Sequence, residues 1–439
     1  MTVYLLARGC QKITKLTSDN VHRRYTYDVR THDPYAALRH PGYRWALACH
    51  IVTILAAQTQ GTALGWLLYE KTKSAAALGL SGLIMFLPVL ILAMPVGFFV
   101  DKRSRKHILL TGIGILTAAA FAMMFLAETD SPVSLLFLAV GLSGIGNAFL
   151  SISRPVIMRD SIPDIHAENG ANWSSLSRRF SSVLGPVIAG GMIAWTGAAA
   201  TAFLLAVFCY FLGFIFSSRI KTLPRPSSRE PMSLHALTEG FRFIGRTPLI
   251  LSATLLDLFA VLLGGASGLL PLFAKDILHV GATGLGILRA APSLGSGIMA
   301  VILAHRPPLK RAGLSLLFAV AGYGIATIVF GISVSPALSF IALFLIGTFD
   351  AVSVTVRSTI LQLFVPARFR GRVFGVNMIF IYSSNELGDF ESGLVAEFFG
   401  GPFSVVLGGS AAVVLAFLFG WKWKELRELK RMKIIQEPV

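Results

Sequence analysis

The sequence predicts an all-α membrane protein: twelve transmembrane helices in two six-helix repeats, with both termini cytoplasmic. Three observations carry this reading. Of 439 residues, 54% are hydrophobic and 14% charged, with a mean hydropathy of +0.69, whereas a soluble domain carries about 25% charged residues. The apolar residues gather in runs of about 20, the length that crosses a ~30 Å hydrocarbon core. The basic residues concentrate in alternate breaks between those runs. This composition excludes an ordinary soluble enzyme and a disordered chain. The net charge of +17 is read as an orientation signal, because nucleic-acid binders do not place half their residues in apolar runs.

Residues 1–43 form a polar, basic cytoplasmic tail without the continuous apolar region of a secretory signal. Pro34 to Tyr43 fits a short helix at the headgroup level. Twelve spans follow, at about 45–69, 76–99, 108–127, 132–153, 176–195, 200–217, 249–273, 282–304, 312–332, 336–356, 373–399 and 403–421. With the N-terminus inside, 35 of the 39 Lys and Arg fall in cytoplasmic segments. Lys71, Lys73 and Lys275 lie in external loops and Arg289 within a span. The expected location is an inner (plasma) membrane.

The chain divides into a first bundle (44–218), a linker (219–248), a second bundle (249–421) and a basic cytoplasmic tail (422–439). Leu234, Leu237, Phe241 and Ile244 of the linker recur at helical spacing, which predicts an amphipathic helix on the cytoplasmic surface. The bundles are related by a constant offset of 203 residues. It superposes Arg154 on Arg357, Asn147 on Asp350, Pro163 on Pro366, Gly185 on Gly388, Gly190 on Gly393 and Gly197 on Gly400. A parallel repeat of this kind places a substrate site near the midplane between the halves.

Gly97 closes the second span, and Asp101, Lys102, Arg103, Arg105 and Lys106 follow it. This loop resembles the signature G-x-x-x-D-[RK]-x-G-[RK]-[RK] of the major facilitator superfamily, with Ser104 in place of the second glycine. The resemblance implies an inner-gate latch, in which Asp101 caps a neighbouring helix and the cations pair across the inner face. A loop that merely anchors topology is the other reading. In span five, Gly185, Pro186 and Gly190 are similar to the antiporter element G-P-x-x-G-G of exporters in this superfamily, which implies a hinge. The span-four arginine that many proton-coupled exporters carry is absent between Val133 and Ser153. The segments Gly371-Arg372-Val, Ser384 to Gly393, Val405 to Gly409, Ala36 to Arg44 and the loop Asn169 to Asn172 look like the branch that includes enterobactin exporters and related drug-efflux proteins. That likeness covers about residues 34 to 430 and implies export.

Span eleven is the most polar. Tyr382, Glu386, Asp389 and Gly393 share one helical face, with Asn385 beside them and Glu391 pointing elsewhere. Charges at this depth line a protein interior or an aqueous cavity. Two carboxylates three residues apart repel when both are ionised, which suits a proton or cation site; a structural polar seam is the alternative. Asp257 in span seven and Arg289 in span eight lie at similar depth and are expected to pair, as a structural ion pair or a coupling switch. Asp350 in span ten lies nearer the cytoplasm, could neutralise a cation such as Arg357, and is weighted toward structure. Gln58, Gln60, Thr62 and Asn147 are the expected neutral cavity lining of the first bundle. His50 is ranked as a packing residue. Cys10, Cys49 and Cys209 have no metal-ligand or CxxC spacing.

No nucleophile motif, metal cluster or phosphate loop supports catalysis, so neither enzyme activity, nor a metal, nor a cofactor is expected. The expected function is a secondary active transporter, a proton-coupled exporter (antiporter) of a small amphipathic compound such as a siderophore or drug, working by alternating access. Its expected partners are substrate, protons and the lipid bilayer, with no nucleic acid, and it is expected to be a monomer. The alternative is a transporter-like membrane receptor or scaffold without flux.

Overall fold

The structure, a computed structural model, describes residues 33–102, 105–223, 234–307 and 310–429. Among these, every regular element is helical. The long helices are α1 (Pro41–Thr72), α2 (Ala75–Lys102), α3 (Arg105–Glu128), α4 (Val133–Asp160), α5 (Ala167–Thr196) and α6 (Ala199–Ser218). After the linker come α7 (Leu234–Arg246), α8 (Pro248–Leu263), α9 (Gly281–His305), α10 (Ala312–Ile332), α11 (Pro336–Phe364), α12 (Ala367–Phe399) and α13 (Gly401–Lys422). The tail before residue 33 and the basic tail from 430 lie outside the described residues.

Nine described helices are long and apolar enough to cross a membrane, or ten if the bent pair Thr238–Arg246 and Pro248–Leu263 counts as one span. The protein is a multi-pass membrane protein. Helices α5 and α12 are 30 and 33 residues long but are not among the nine, because each interleaves polar and charged side chains with its apolar ones. Near the N-terminus, the expected headgroup helix is one 3-10 turn at Ala37–Arg39, directly followed by α1 from Pro41. Proline suits that first helical position because its φ is pre-set and its missing N–H would have no partner there.

Several helices outrun the expected spans. Helix α4 continues through Arg154 to Asp160, α11 continues through Arg357 to Phe364, and α5 begins at Ala167. Hydropathy truncates a span at its first charges, whereas backbone hydrogen bonding continues through them. The segment Asn169 to Asn172, expected as a loop, is therefore the first turns of α5. There Asn169 receives the Ala37 N–H at 3.0 Å and donates to the Pro34 carbonyl at 2.8 Å.

The expected seventh span is interrupted. Helix α8 stops at Leu263, and Gly264, Gly265 and Gly268 carry the chain to a short helix at Leu270–Leu272 and a π-helical turn at Phe273–Ile277. A Cβ at Gly265 would stand 2.6 Å from the Gly388 carbonyl oxygen, so only glycine passes so close to α12. The linker helix α7 meets α8 at 106°. It packs on the second set of helices: Phe241 meets Phe380 edge-on and Phe243 stacks on Phe369. The side chains of Leu234 and Leu237 lie outside the described residues.

Packing pairs recur between the two sets. Helices α3 and α4, α3 and α6, and α2 and α4 pack in the first set, as α10 and α11, α10 and α13, and α9 and α11 do in the second. The sets meet along α5–α9 and α2–α12. Both seams are closed by glycines. A Cβ at Gly190 would lie 2.3 Å from the Ala282 carbonyl oxygen, and one at Gly393 would lie 2.7 Å from that of Ala75. These contacts lie toward the face opposite the linker, here called the far face. Further far-face links are Lys275 to Glu70 at 3.1 Å, Tyr69 to Asp276, and Glu397 to Ser74 at 2.8 Å.

Candidate functional site

The polar interior has two centres. The first lies at the α2–α12 seam. Helix α12 directs Glu386 toward α2, where a Cβ on Gly82 would come within 2.9 Å of Glu386 Oε2. One turn on, Asp389 Oδ1 accepts the Gly268 N–H at 3.1 Å. That donor is free to turn toward α12 because the chain is non-helical there. Arg289 of α9 completes the centre. It lies within charge-interaction range of Asp389 and Glu386, and its Nη1 donates to the Gly61 carbonyl of α1 at 3.0 Å. A Cβ at Gly61 would meet Arg289 Nη2 at 3.3 Å, so glycine leaves the guanidinium room to reach the backbone.

The expected pairing of Asp257 with Arg289 is corrected. Asp257 of α8 forms its ion pair with Arg357 of α11, and both are largely buried. Comparable depth made the Asp257–Arg289 pairing plausible, but the helices turn the two side chains to different neighbours. Arg357, assigned by hydropathy to a cytoplasmic loop, lies inside the bundle because α11 is longer than its apolar run. Asp350 shares a small cavity with Asp257, Tyr323 and Ser353, close to the Arg357 charge.

The remaining candidates separate. Gln60 turns away from the seams and donates to Ser143 at 2.9 Å and to the Met123 sulfur at 3.2 Å, within the first set. Thr62 bonds back to the Gln58 carbonyl at 2.8 Å on its own helix. Gln58 donates to Ser182 of α5 at 3.0 Å. Asn147 is half-buried on α4. Tyr382 is half-exposed, and Asn385 donates to the Ile381 carbonyl at 2.7 Å on its own helix. Glu391 faces away from the carboxylate centre and meets Ser392 at 3.5 Å.

Gly185 and Gly190 are contact points rather than an interruption, since α5 runs unbroken through Pro186. A Cβ at Gly185 would stand 2.6 Å from Gln58 Cβ. Gly97 falls within α2, whereas Arg103 and the side chains of Asp101 and Lys102 lie outside the described residues. Of the same loop, Arg105 pairs with buried Asp160 and Lys106 donates to the Ser218 carbonyl, so these two cations tie α3 to α4 and α6.

The second centre does not show in the hydropathy pattern. A cavity of about 300 Å³ between α5 and α9 is lined by Ser175, Arg178, Arg179, Ser182, Ser293 and Ser296. Arg179 donates to Ser296 across it at 3.3 Å. Arg154 is close enough to interact with Arg178, His50 and Tyr382. Assigning residues 154–179 to a loop concealed these three arginines. The available signal was the repeat itself, which places Arg154 where the other set has Arg357.

A family model described as transmembrane secretion effector matches residues 32–437. The chain is 26% identical over 343 residues to enterobactin exporter EntS of Citrobacter koseri, across 77% of this chain and 81% of that protein. It shows the same identity and coverage with enterobactin exporter EntS of Escherichia coli O1:K1 / APEC. Among solved structures, it resembles an inward-facing, occupied bacterial homologue of the human lysosomal transporter Spinster, with a TM-score of 0.69 and 15% identity, covering 90% of this chain and 99% of that one. It also resembles nucleoside transporter NupG, with a TM-score of 0.66 and 13% identity, covering 88% of this chain and all of the other. These structural likenesses concern the fold alone. The relatives are transporters, not enzymes.

Proposed function

The chain belongs to the transmembrane secretion effector family of major-facilitator transporters, and from that premise we propose that it is a proton-coupled exporter of a small amphipathic compound. Its twelve spans are α1–α6 and α8–α13, with α5 and α12 as polar members. Both termini and the linker lie in the cytoplasm of an inner membrane, as the bias of Lys and Arg toward that face supports. The enterobactin exporters among its relatives favour a siderophore or drug as cargo.

The observation that carries the reading is the convergence of Arg289 with Glu386 and Asp389 where the two sets meet. Two carboxylates and one guanidinium leave one net negative charge in a low-dielectric setting, which is unfavourable. One proton makes the cluster neutral. The cluster thus has a natural stoichiometry of one exchangeable proton. Glu386 abuts Gly82, and Arg289 holds the Gly61 carbonyl, so both carry the protonation state across the seam to the other set. With the far-face glycine seams closed, the arrangement corresponds to a transporter open toward the cytoplasm. Proton entry from outside and cargo exit would alternate by rocking of the sets.

The test uses proteoliposomes with an imposed pH gradient. Flux of a siderophore or dye should follow the gradient, and Glu386→Gln with Asp389→Asn should uncouple it. Normal gradient-driven flux in that double variant removes the carboxylates from the mechanism. Cargo binding without flux in the parent protein would favour a receptor or scaffold.

A further inference from the structure

The cavity between α5 and α9 stands apart from the carboxylate centre, and its chemistry has the opposite sign. Its walls carry two guanidinium groups and four serine hydroxyls, with Arg154 nearby. Among the described residues of the first set, the acids sit at helix ends or beyond them. Glu70, Glu128 and Asp130 are at the far face, and Asp160, Asp164 and Glu168 at the linker face. No ion pair among the described residues joins Arg154, Arg178 or Arg179 to a carboxylate. From the second set, Asp350 comes within charge range of Arg179, but it is shared with Arg357.

The repeat sharpens the imbalance. Arg154 stands 21 residues after the start of α4, and Arg357 stands 21 after the start of α11. His50 and Asp257 each stand nine residues after the proline that opens α1 and α8. The second set therefore answers its arginine with a carboxylate, and the first set answers with histidine. His50 Nε2 meets the Ser174 carbonyl at 3.1 Å, and its Nδ1 is buried without a partner. Clustered cations in a half-enclosed site are unfavourable unless an anion joins them. Guanidinium groups recognise planar oxyanions through paired, charge-assisted hydrogen bonds.

We propose that this cavity binds the anionic end of the transported compound, a carboxylate or similarly delocalised oxyanion carried on an apolar or aromatic body. The proposal rests on the exporter reading for what then happens to the ligand, but not for the binding itself. Arg178 and Arg179 hold the anion, the serines Ser182, Ser293 and Ser296 supply further donors, and Arg154 adds charge from behind. A volume of about 300 Å³ is at the lower end for small-molecule sites and accommodates a bicyclic acid. The ligand then bridges α5 and α9, one of the two seams along which the sets meet.

The test is equilibrium binding to the purified full-length protein with three shape-matched probes: 1-naphthoate, 1-naphthamide and 1-naphthylmethylammonium. Naphthoate should bind at least about tenfold more tightly than the other two, the factor expected from a charge-assisted hydrogen bond. Arg178→Gln with Arg179→Gln should remove that preference. Arg159→Gln should leave it intact, because Arg159 pairs with Asp164 outside the cavity. Circular dichroism and monodisperse elution check that the double variant is folded, and Arg178→Lys, which keeps the charge, provides an independent arm that should retain a naphthoate preference. Undetectable naphthoate binding, equal binding of the three probes, or preference for the ammonium overturns the proposal. So does an unchanged preference in the folded double variant, or displacement of naphthoate by phosphatidylglycerol at equal concentration, which would give the cavity to a lipid headgroup. Selective naphthoate binding without any flux would leave this site standing and remove the exporter reading. Export indifferent to cargo charge, with no naphthoate selectivity, would do the reverse.

Discussion

Asp257 and Arg357 form an ion pair at the positions where the other set of helices brings His50 near Arg154. One framework therefore holds a neutralised pair on one side and unneutralised cations on the other. Arg357 meets Asp257 through its Nη1, while its Nε is buried without a hydrogen-bond partner.

Asp257→Asn should destabilise the protein by about 3 kcal/mol, because the buried Arg357 guanidinium loses its ion-pair partner and keeps only the nearby charge of Asp350. Adding Arg357→Gln should recover much of that loss. Thermal unfolding in detergent of the single and double variants measures the coupling. Additive losses would mean that the pair does not stabilise the fold.

Arg289→Gln removes the cation within charge range of Glu386 and Asp389 and leaves two carboxylates one helical turn apart. Transport should fall by at least about tenfold. Combining it with Glu386→Gln should restore thermal stability while leaving transport uncoupled from the pH gradient. A proteoliposome flux assay, read alongside a melting curve, separates the two effects.

The far face should open when its glycine seam is filled. Gly286→Val would put a side chain where a Cβ already lies 2.4 Å from the Pro186 carbonyl oxygen. Labelling of a single cysteine at Ala282, in a background lacking the native cysteines, should rise several-fold in this variant. Unchanged labelling would show that the α5–α9 seam is not what closes this face.

Glu397 supplies a separate hold on the same face. It accepts from the Ser74 hydroxyl at 2.8 Å and from the Ala76 N–H at 3.0 Å, at the N-terminus of α2. Glu397→Gln should weaken far-face closure by about 1 kcal/mol, through loss of a charge-assisted contact with a helix N-terminus. The same cysteine-labelling assay reads it, with a smaller increase than for Gly286→Val.

Much of the site was legible in residues whose chemistry contradicts their surroundings. Glu386, Asp389 and Arg289 stand out because charge is rare in apolar runs. Their convergence is not legible: Asp257 and Arg289 are matched by depth, yet rotation about each helix axis gives them different partners. Arg154, Arg178 and Arg179 were hidden for another reason. Hydropathy averages over a window and cuts a span at its first cations, so helix that continues past the cut is read as loop. Gln60 and Thr62 looked like cavity lining by type, but one turns into its own set and the other bonds to its own helix.

The sequence by itself determined that this chain crosses a membrane many times, that it carries an internal repeat, and which family it resembles. Those properties reside in composition, in runs about 20 residues long and in motifs local to one loop or helix. Tertiary structure decided which charges share a centre, because partner choice depends on helix rotation and on where glycines allow close approach. Gly268 shows the division. The sequence displays it as one glycine in an apolar run, and only the break after Leu263 turns its N–H toward Asp389. The physical reason is range: hydrophobicity acts through local sums along the chain, whereas a hydrogen bond or ion pair needs two distant segments within about 3 Å.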